Sequence, residues 1–195
     1  MDSDGYLSQL AGIFDGITVL TPSISAIIAI VLAGVLLLAS GFASASEIAF
    51  FSLSPSDRND IDERNHPSDE KISALLGDSE RLLATILITN NFVNVTIIML
   101  CNFFFMNVFI FHSPLAEFLI LTVILTFLLL LFGEIMPKIY SAQKTLAFCR
   151  FSAPGIYYLE KIFRPVATVL VRSTAFLNKH FAKKSHNISD RKSVV

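Results

Sequence analysis

An all-α integral membrane fold is what this sequence predicts, with three transmembrane helices and further juxtamembrane helices on the cytoplasmic side. Three observations lead there. Of the 195 residues, 53% are hydrophobic and only 16% charged, too apolar for an ordinary water-soluble domain of this length. Three stretches are long and apolar enough for the roughly 20 residues that a helix needs to cross a bilayer. The basic residues, finally, all fall in segments that one topology places on a single side.

Taken in order, residues 1–20 form an extracytoplasmic N-terminal segment. Its opening, MDSDGYLSQLAGIFDGI, has no basic start and carries Asp2, Asp4 and Asp15, so it does not read as a cleavable signal peptide. A transmembrane domain follows over residues 21–183. The first crossing covers about residues 23–51, with Glu47 as its single charge; the second covers about 82–111, where no Asp, Glu, Lys or Arg occurs. The third, about 115–140, runs through LLLLFGEIMPKIY. Bilayer interior offers backbone groups no water, so all three must be helices.

Residues of about 54–80 alternate in charge, with helix starts at Ser54 or Ser56 and again at Ser68, each followed by acids in the first turn. They read as a pair of short solvated helices. Asp57, Asp60 and Asp62 lack the glycine that a calcium loop needs at its sharp turn. A last helix is expected over about 152–181: Leu159, Ile162, Phe163, Val166, Val169 and Leu170 recur at helical spacing, while Glu160, Lys161, Arg164 and Arg172 rule out a span. It suits the cytoplasmic membrane interface or a partner. Residues 184–195 are a polar linker or tail.

Charge sets the orientation. No Lys or Arg precedes the first helix or lies in the link FHSPLAE between the second and third. Arg58, Arg64, Lys71 and Arg81 lie between the first and second, and the other 11 of the 15 begin at Lys138. The positive-inside rule therefore places the N-terminus outside and the C-terminus in the cytoplasm. A net charge of -1 argues against nucleic acid as a partner. Cys101 and Cys149 make no CxxC and no disulfide framework. His66, His112, His180 and His186 stand apart from the polar clusters, so no catalytic residue is assigned and the chain is not read as an enzyme.

Polar groups at membrane depth are expensive and need a reason. Ser40, Ser44 and Glu47 are spaced to share one face of the first helix, in SGFASASEIAF. In TNNFVNVT of the second, Asn90 and Asn94 share a face, and Asn91 points about 100° away. In the third, Pro137 has no amide hydrogen and clashes with the carbonyl four residues earlier, that of Gly133, next to the carboxylate of Glu134. Hydroxyls, amide oxygens, a carbonyl and one carboxylate are hard donors, the set for magnesium or calcium rather than zinc or copper. Each cluster also has a plain structural reading. Ser, Gly and Ala are common helix-packing surface, with Ser40 foremost, and Asn pairs make interhelical hydrogen bonds. Glu134 has Lys138 one turn on, and Glu47 has the headgroups or a loop arginine.

The three elements GFASASEIAFFSLS, LLATILITNNFVNV and FGEIMPKIYSAQ, in this order, resemble the transmembrane domain of the CNNM/CorC (HlyC/CorC) magnesium transporters. The resemblance implies a homodimer in a bacterial inner membrane, Mg2+ as transported ion and sodium-driven efflux with Na+ as coupling ion. By motif it implies magnesium ligation by Ser44, Asn90, Asn94, Gly133 and Glu134, a helix break at Pro137, and secondary places for Ser46, Glu47 and Asn91. Family members usually continue into a pair of nucleotide-binding CBS modules. The chain as given stops before them, so nucleotide binding is not expected of it. GFASAS departs from the commoner FSGS, keeping a serine at 44 and placing Ala45 where a glycine is usual. Within the family, the acidic N-terminus and ATILITNNFVN resemble the gliding-motility-associated GldE group. That implies an alternative role, an accessory membrane protein for motility or secretion-complex assembly with a structural or sensory cation site.

Overall fold

The computed structural model describes residues 18–110 and 114–189. It is all-helical apart from a two-residue strand pair, and the chain divides into two compact units. One holds residues up to Ile48 with Asn90–Gln143; the other holds Ala49–Thr89 with the chain from Lys144. Among the described residues three helices are long and apolar enough to cross a membrane: Ile24–Phe51, Ser79–Val108 and Glu117–Gln143.

In the first unit, strand β1 (Thr18–Val19) leads into helix α1 (Ile24–Phe51). Ser23 opens that helix, its hydroxyl accepting from the Ala26 amide at 3.2 Å. Helix α4 (Ser79–Val108) ends in strand β2 (Phe109–Ile110), which pairs antiparallel with β1, Thr18 opposite Ile110. The Leu20 amide also donates to the Val108 carbonyl at 2.7 Å. These bonds hold the start of α1 beside the end of α4, so the two helices run antiparallel.

The third span has three parts: α5 (Pro114–Leu128), a π-helical stretch (Leu129–Ile135) and α6 (Met136–Gln143). Ala33, Val93, Ile97, Cys101 and Leu125 form the unit's apolar core, with Ile30, Leu37 and Leu129 packed against it. Facing outward are Ile24 at 79% exposure, Val31, Val35 and Leu38 on α1, and Phe118, Val123 and Phe127 on the third span. Such a belt would be an aggregation liability in water, whereas in a bilayer it meets lipid.

In the second unit, α2 (Pro55–Asp62) is opened by Ser54, whose hydroxyl accepts from the Asp57 amide while the Asp57 carboxylate accepts from the Ser54 amide. This is a reciprocal capping box. Helix α3 (Asp69–Leu76) and the 45-residue α7 (Thr145–Ser189) pack through Ile72, Leu75, Cys149, Ala153 and Ile156, all buried. The sequence pattern starts the last helix at about residue 152. The structure carries it from Thr145 through Pro154 and Pro165, both inside the helix.

Asp69 ties this unit together. Its side chain is fully buried and accepts from Arg150 Nε at 2.8 Å, Arg150 Nη2 at 3.0 Å and the His66 amide at 2.9 Å. Burial alone would raise the carboxyl, but the two-pronged Arg150 bond, with the His66 amide, holds it below its ordinary value. The neighbouring Cys149 thiol is pushed up to about 12, chiefly by burial, so it behaves as a small apolar side chain.

Candidate functional site

The polar face of α1 meets the polar face of α4. Ser40 and Ser44, both fully buried, are four residues apart on α1; Asn90 and Asn94 are four apart on α4. Because the helices are antiparallel, the earlier serine faces the later asparagine. The Ser40 hydroxyl lies 2.6 Å from Asn94 Oδ1 and 2.8 Å from Asn90 Oδ1, and the Ser44 hydroxyl lies 3.4 Å from Asn90 Oδ1.

A serine has one hydroxyl hydrogen. Ser40 therefore cannot donate fully to both amide oxygens at once, and two carbonyl-type oxygens converge on a point rich in negative partial charge. Turning an asparagine amide over would present its NH2 to Ser40 and relieve the crowding. Amide orientation and cation binding are thus linked in this geometry: oxygens inward suit a cation, nitrogens inward do not.

The third span closes this face through two glycines. A Cβ on Gly133 would lie 3.2 Å from Ser40 Oγ and 3.4 Å from Leu37 Cδ1, so glycine lets the broken helix come close to the serine without displacing it. A Cβ on Gly41 would lie 3.0 Å from Pro137 Cγ and 3.4 Å from the Phe132 carbonyl oxygen. One turn further on, the Ser141 hydroxyl donates to the Ala45 carbonyl at 2.6 Å. These contacts fasten the break against α1.

The break takes a π-helical form that the sequence does not announce. In an α-helical register Pro137 frees the Gly133 carbonyl, four residues back. In the π-helical stretch the register is five, with the Met136 amide donating to the Leu131 carbonyl. One residue later, the donor that Pro137 lacks would have served Phe132. The Phe132 carbonyl, which lies 3.4 Å from a Cβ built on Gly41, is thus affected by the proline as well as that of Gly133.

The charged residues of the motif are paired with one another. Glu134 Oε1 is 3.0 Å from Lys138 Nζ, and the same ammonium is 3.2 Å from Glu47 Oε2. Glu134 is thus engaged by Lys138, the plain alternative that its spacing allows, and Glu47 turns to the same lysine rather than to a loop arginine. Ser46 is buried and donates back to the Phe42 carbonyl at 2.6 Å, which satisfies it within its own helix. Asn91 lies on the exposed side of α4, away from Ser40.

Sequence reasoning assigns Ser40 to packing, whereas the structure puts it at the centre. The signal is there to be read: a Ser pair and an Asn pair, each spaced four, on consecutive antiparallel spans. Among the described residues no three His, Cys, Asp or Glu side chains gather as a metal cluster. A cation at this face would be held by neutral oxygens, the Glu134 and Glu47 carboxylates being paired with Lys138. That hard-donor set fits magnesium or calcium.

Comparison with known proteins agrees with this architecture. Residues 20–193 match the family described as CNNM, Cyclin M transmembrane N-terminal domain. The chain is also 31% identical over 134 residues to a protein of Haemophilus influenzae named UPF0053 protein, a match over 69% of this chain and 31% of that relative. The chain thus spans about a third of that relative's length. With the family match covering most of its residues and the three spans in place, the chain belongs to the CNNM family as a transmembrane domain.

Proposed function

We propose that this chain is the membrane part of a divalent-cation transporter, with magnesium as cargo and sodium-coupled efflux as its activity. The observation that carries the reading is the convergence of Asn90 and Asn94 Oδ1 on the Ser40 hydroxyl, at 2.8 and 2.6 Å, opposite Gly133. Stripping water from magnesium demands several oxygens at once. Ser40, Ser44, Asn90, Asn94 and a carbonyl of the π-helical stretch replace that water, and Glu134 supplies charge. Gly133 contributes its missing side chain as much as its carbonyl.

A π-helical stretch closed by proline is a weak point in an otherwise rigid span, where small changes of register re-aim carbonyls. This suits a site that must face each side of the membrane in turn. The distribution of Lys and Arg supports an N-terminus outside and a C-terminus in the cytoplasm, in a bacterial inner membrane. The active unit is a homodimer in the bilayer.

Magnesium-dependent unfolding tests the reading. A ligand that binds only the folded state stabilises it by about 2.7 kcal/mol at a hundred times its dissociation constant. Wild type in detergent should melt higher as MgCl2 is raised, and Asn90→Ala/Asn94→Ala should not respond. An equal response from the double variant would remove the two asparagines from the site.

A further inference from the structure

Lys138 is a positive charge at the edge of the proposed site, held by two carboxylates from different helices. Its Nζ is 3.0 Å from Glu134 Oε1, one turn back on its own span, and 3.2 Å from Glu47 Oε2 on α1. All three side chains are partly shielded, at 27%, 40% and 36% exposure for Lys138, Glu134 and Glu47. The trio carries one positive and two negative charges. Glu134 therefore already has a cation partner from its own chain.

We infer that Lys138 is a tethered cation that competes with the transported ion for Glu134, and that Glu47 is the position to which it withdraws when the ion binds. The inference rests on the proposed function and adds a specificity and release element to it. A divalent ion drawing on the Glu134 carboxylate would stand next to an ammonium of like charge, so one of them must leave. Lys138 cannot diffuse away, but Glu47 is already within 3.2 Å and keeps the ammonium paired. Loading is then an exchange of one cation for another at Glu134, and the lysine's return helps to expel the ion.

The competition has a thermodynamic signature. An ammonium that occupies Glu134 in the ion-free state weakens apparent ion affinity by the strength of its own pairing. Removing it with Lys138→Gln should tighten magnesium binding by about three- to tenfold, the range for a partly exposed ion pair of about 1 kcal/mol. Lys138→Arg should weaken binding, because a guanidinium grips two carboxylates more firmly than an ammonium does. Glu47→Gln should also weaken it, since the lysine loses its alternative partner. The effect of Glu47→Gln should vanish in the Lys138→Gln background, because no lysine is left to be accommodated.

The experiment is a titration of the purified full chain in detergent with MgCl2, followed by isothermal calorimetry, for wild type, the three single variants, the double variant and Asn90→Ala/Asn94→Ala. Opposite shifts for Lys138→Gln and Lys138→Arg, with coupling between positions 47 and 138, are the expected result. A structural lysine would give weaker binding in both variants at position 138, and that outcome overturns the inference. If Glu47→Gln weakens binding equally with and without Lys138, Glu47 is a direct ligand and the inference fails. Should wild type bind magnesium and the asparagine variant not, while Lys138→Gln leaves affinity unchanged, this inference alone falls. Absence of binding by every protein removes the transport reading as well.

Discussion

Gly41→Ala probes the contact that fastens the broken span to α1. The added carbon would sit 3.0 Å from Pro137 Cγ and 3.4 Å from the Phe132 carbonyl oxygen. Carbon atoms settle at about 3.5 Å or more, so the first contact is roughly 0.5 Å too close. Neither neighbour yields readily, one being a proline ring and the other backbone. Overpacking of this kind costs about 1–3 kcal/mol. Against it stands the gain of about 0.5–1 kcal/mol from replacing glycine by alanine inside a helix. Gly34, two turns earlier on the same helix, supplies the control, since nothing lies within 4 Å of a Cβ built there. Gly34→Ala should keep the whole gain. Unfolding in mixed micelles, followed by circular dichroism, should place Gly41→Ala about 1–3 kcal/mol below Gly34→Ala. Equal stability of the two variants would refute the close approach of α1 to Pro137.

Two further perturbations address the second unit. Asp69→Ala leaves Arg150 without its buried partner and should lower stability by about 3 kcal/mol near neutral pH, the lower end of the range for a buried pair because Arg150 is partly exposed. The folded value of Asp69 lies below its unfolded one, so its contribution is complete above the ordinary carboxylate range and is lost as pH falls through the lower folded value. The gap between wild type and Asp69→Ala should therefore close on acidification, as read by unfolding free energy against pH. Thr85 is fully buried, and its hydroxyl has no hydrogen-bond partner among the described residues. Thr85→Val keeps the shape, removes the orphaned oxygen and should stabilise the chain by about 1 kcal/mol in the same assay.

Much of the architecture is legible in the amino-acid sequence. Composition, three apolar stretches and one-sided Lys and Arg lead to an all-α membrane fold, because lipid leaves the backbone no other solution. The motifs around Ser44, Asn90 and Glu134 are enough for the family. Geometry at the site is less accessible. Which of two serines on one helix face meets the asparagines depends on the register of α1 against α4, and the pattern within a single helix does not set it. Pro137 announces a break at the right place, but not its π register, which brings the Phe132 carbonyl into play beside that of Gly133. The fate of Glu134 is written in its spacing to Lys138, whereas the approach of Glu47 to the same lysine is a tertiary contact. Extension of α7 back to Thr145 likewise follows from packing of Cys149 and Arg150 on α3, which no local pattern displays.

The most direct test of the transport account is magnesium movement in proteoliposomes containing the purified full chain, with and without an opposing sodium gradient. The account predicts sodium-dependent magnesium flux in wild type and its loss in Ser40→Ala and in Asn90→Ala/Asn94→Ala, with all three proteins reconstituted to the same level. No flux from wild type, together with rescue of a gliding or secretion-assembly defect by the same chain in cells, would contradict it and favour an accessory role with a structural cation site.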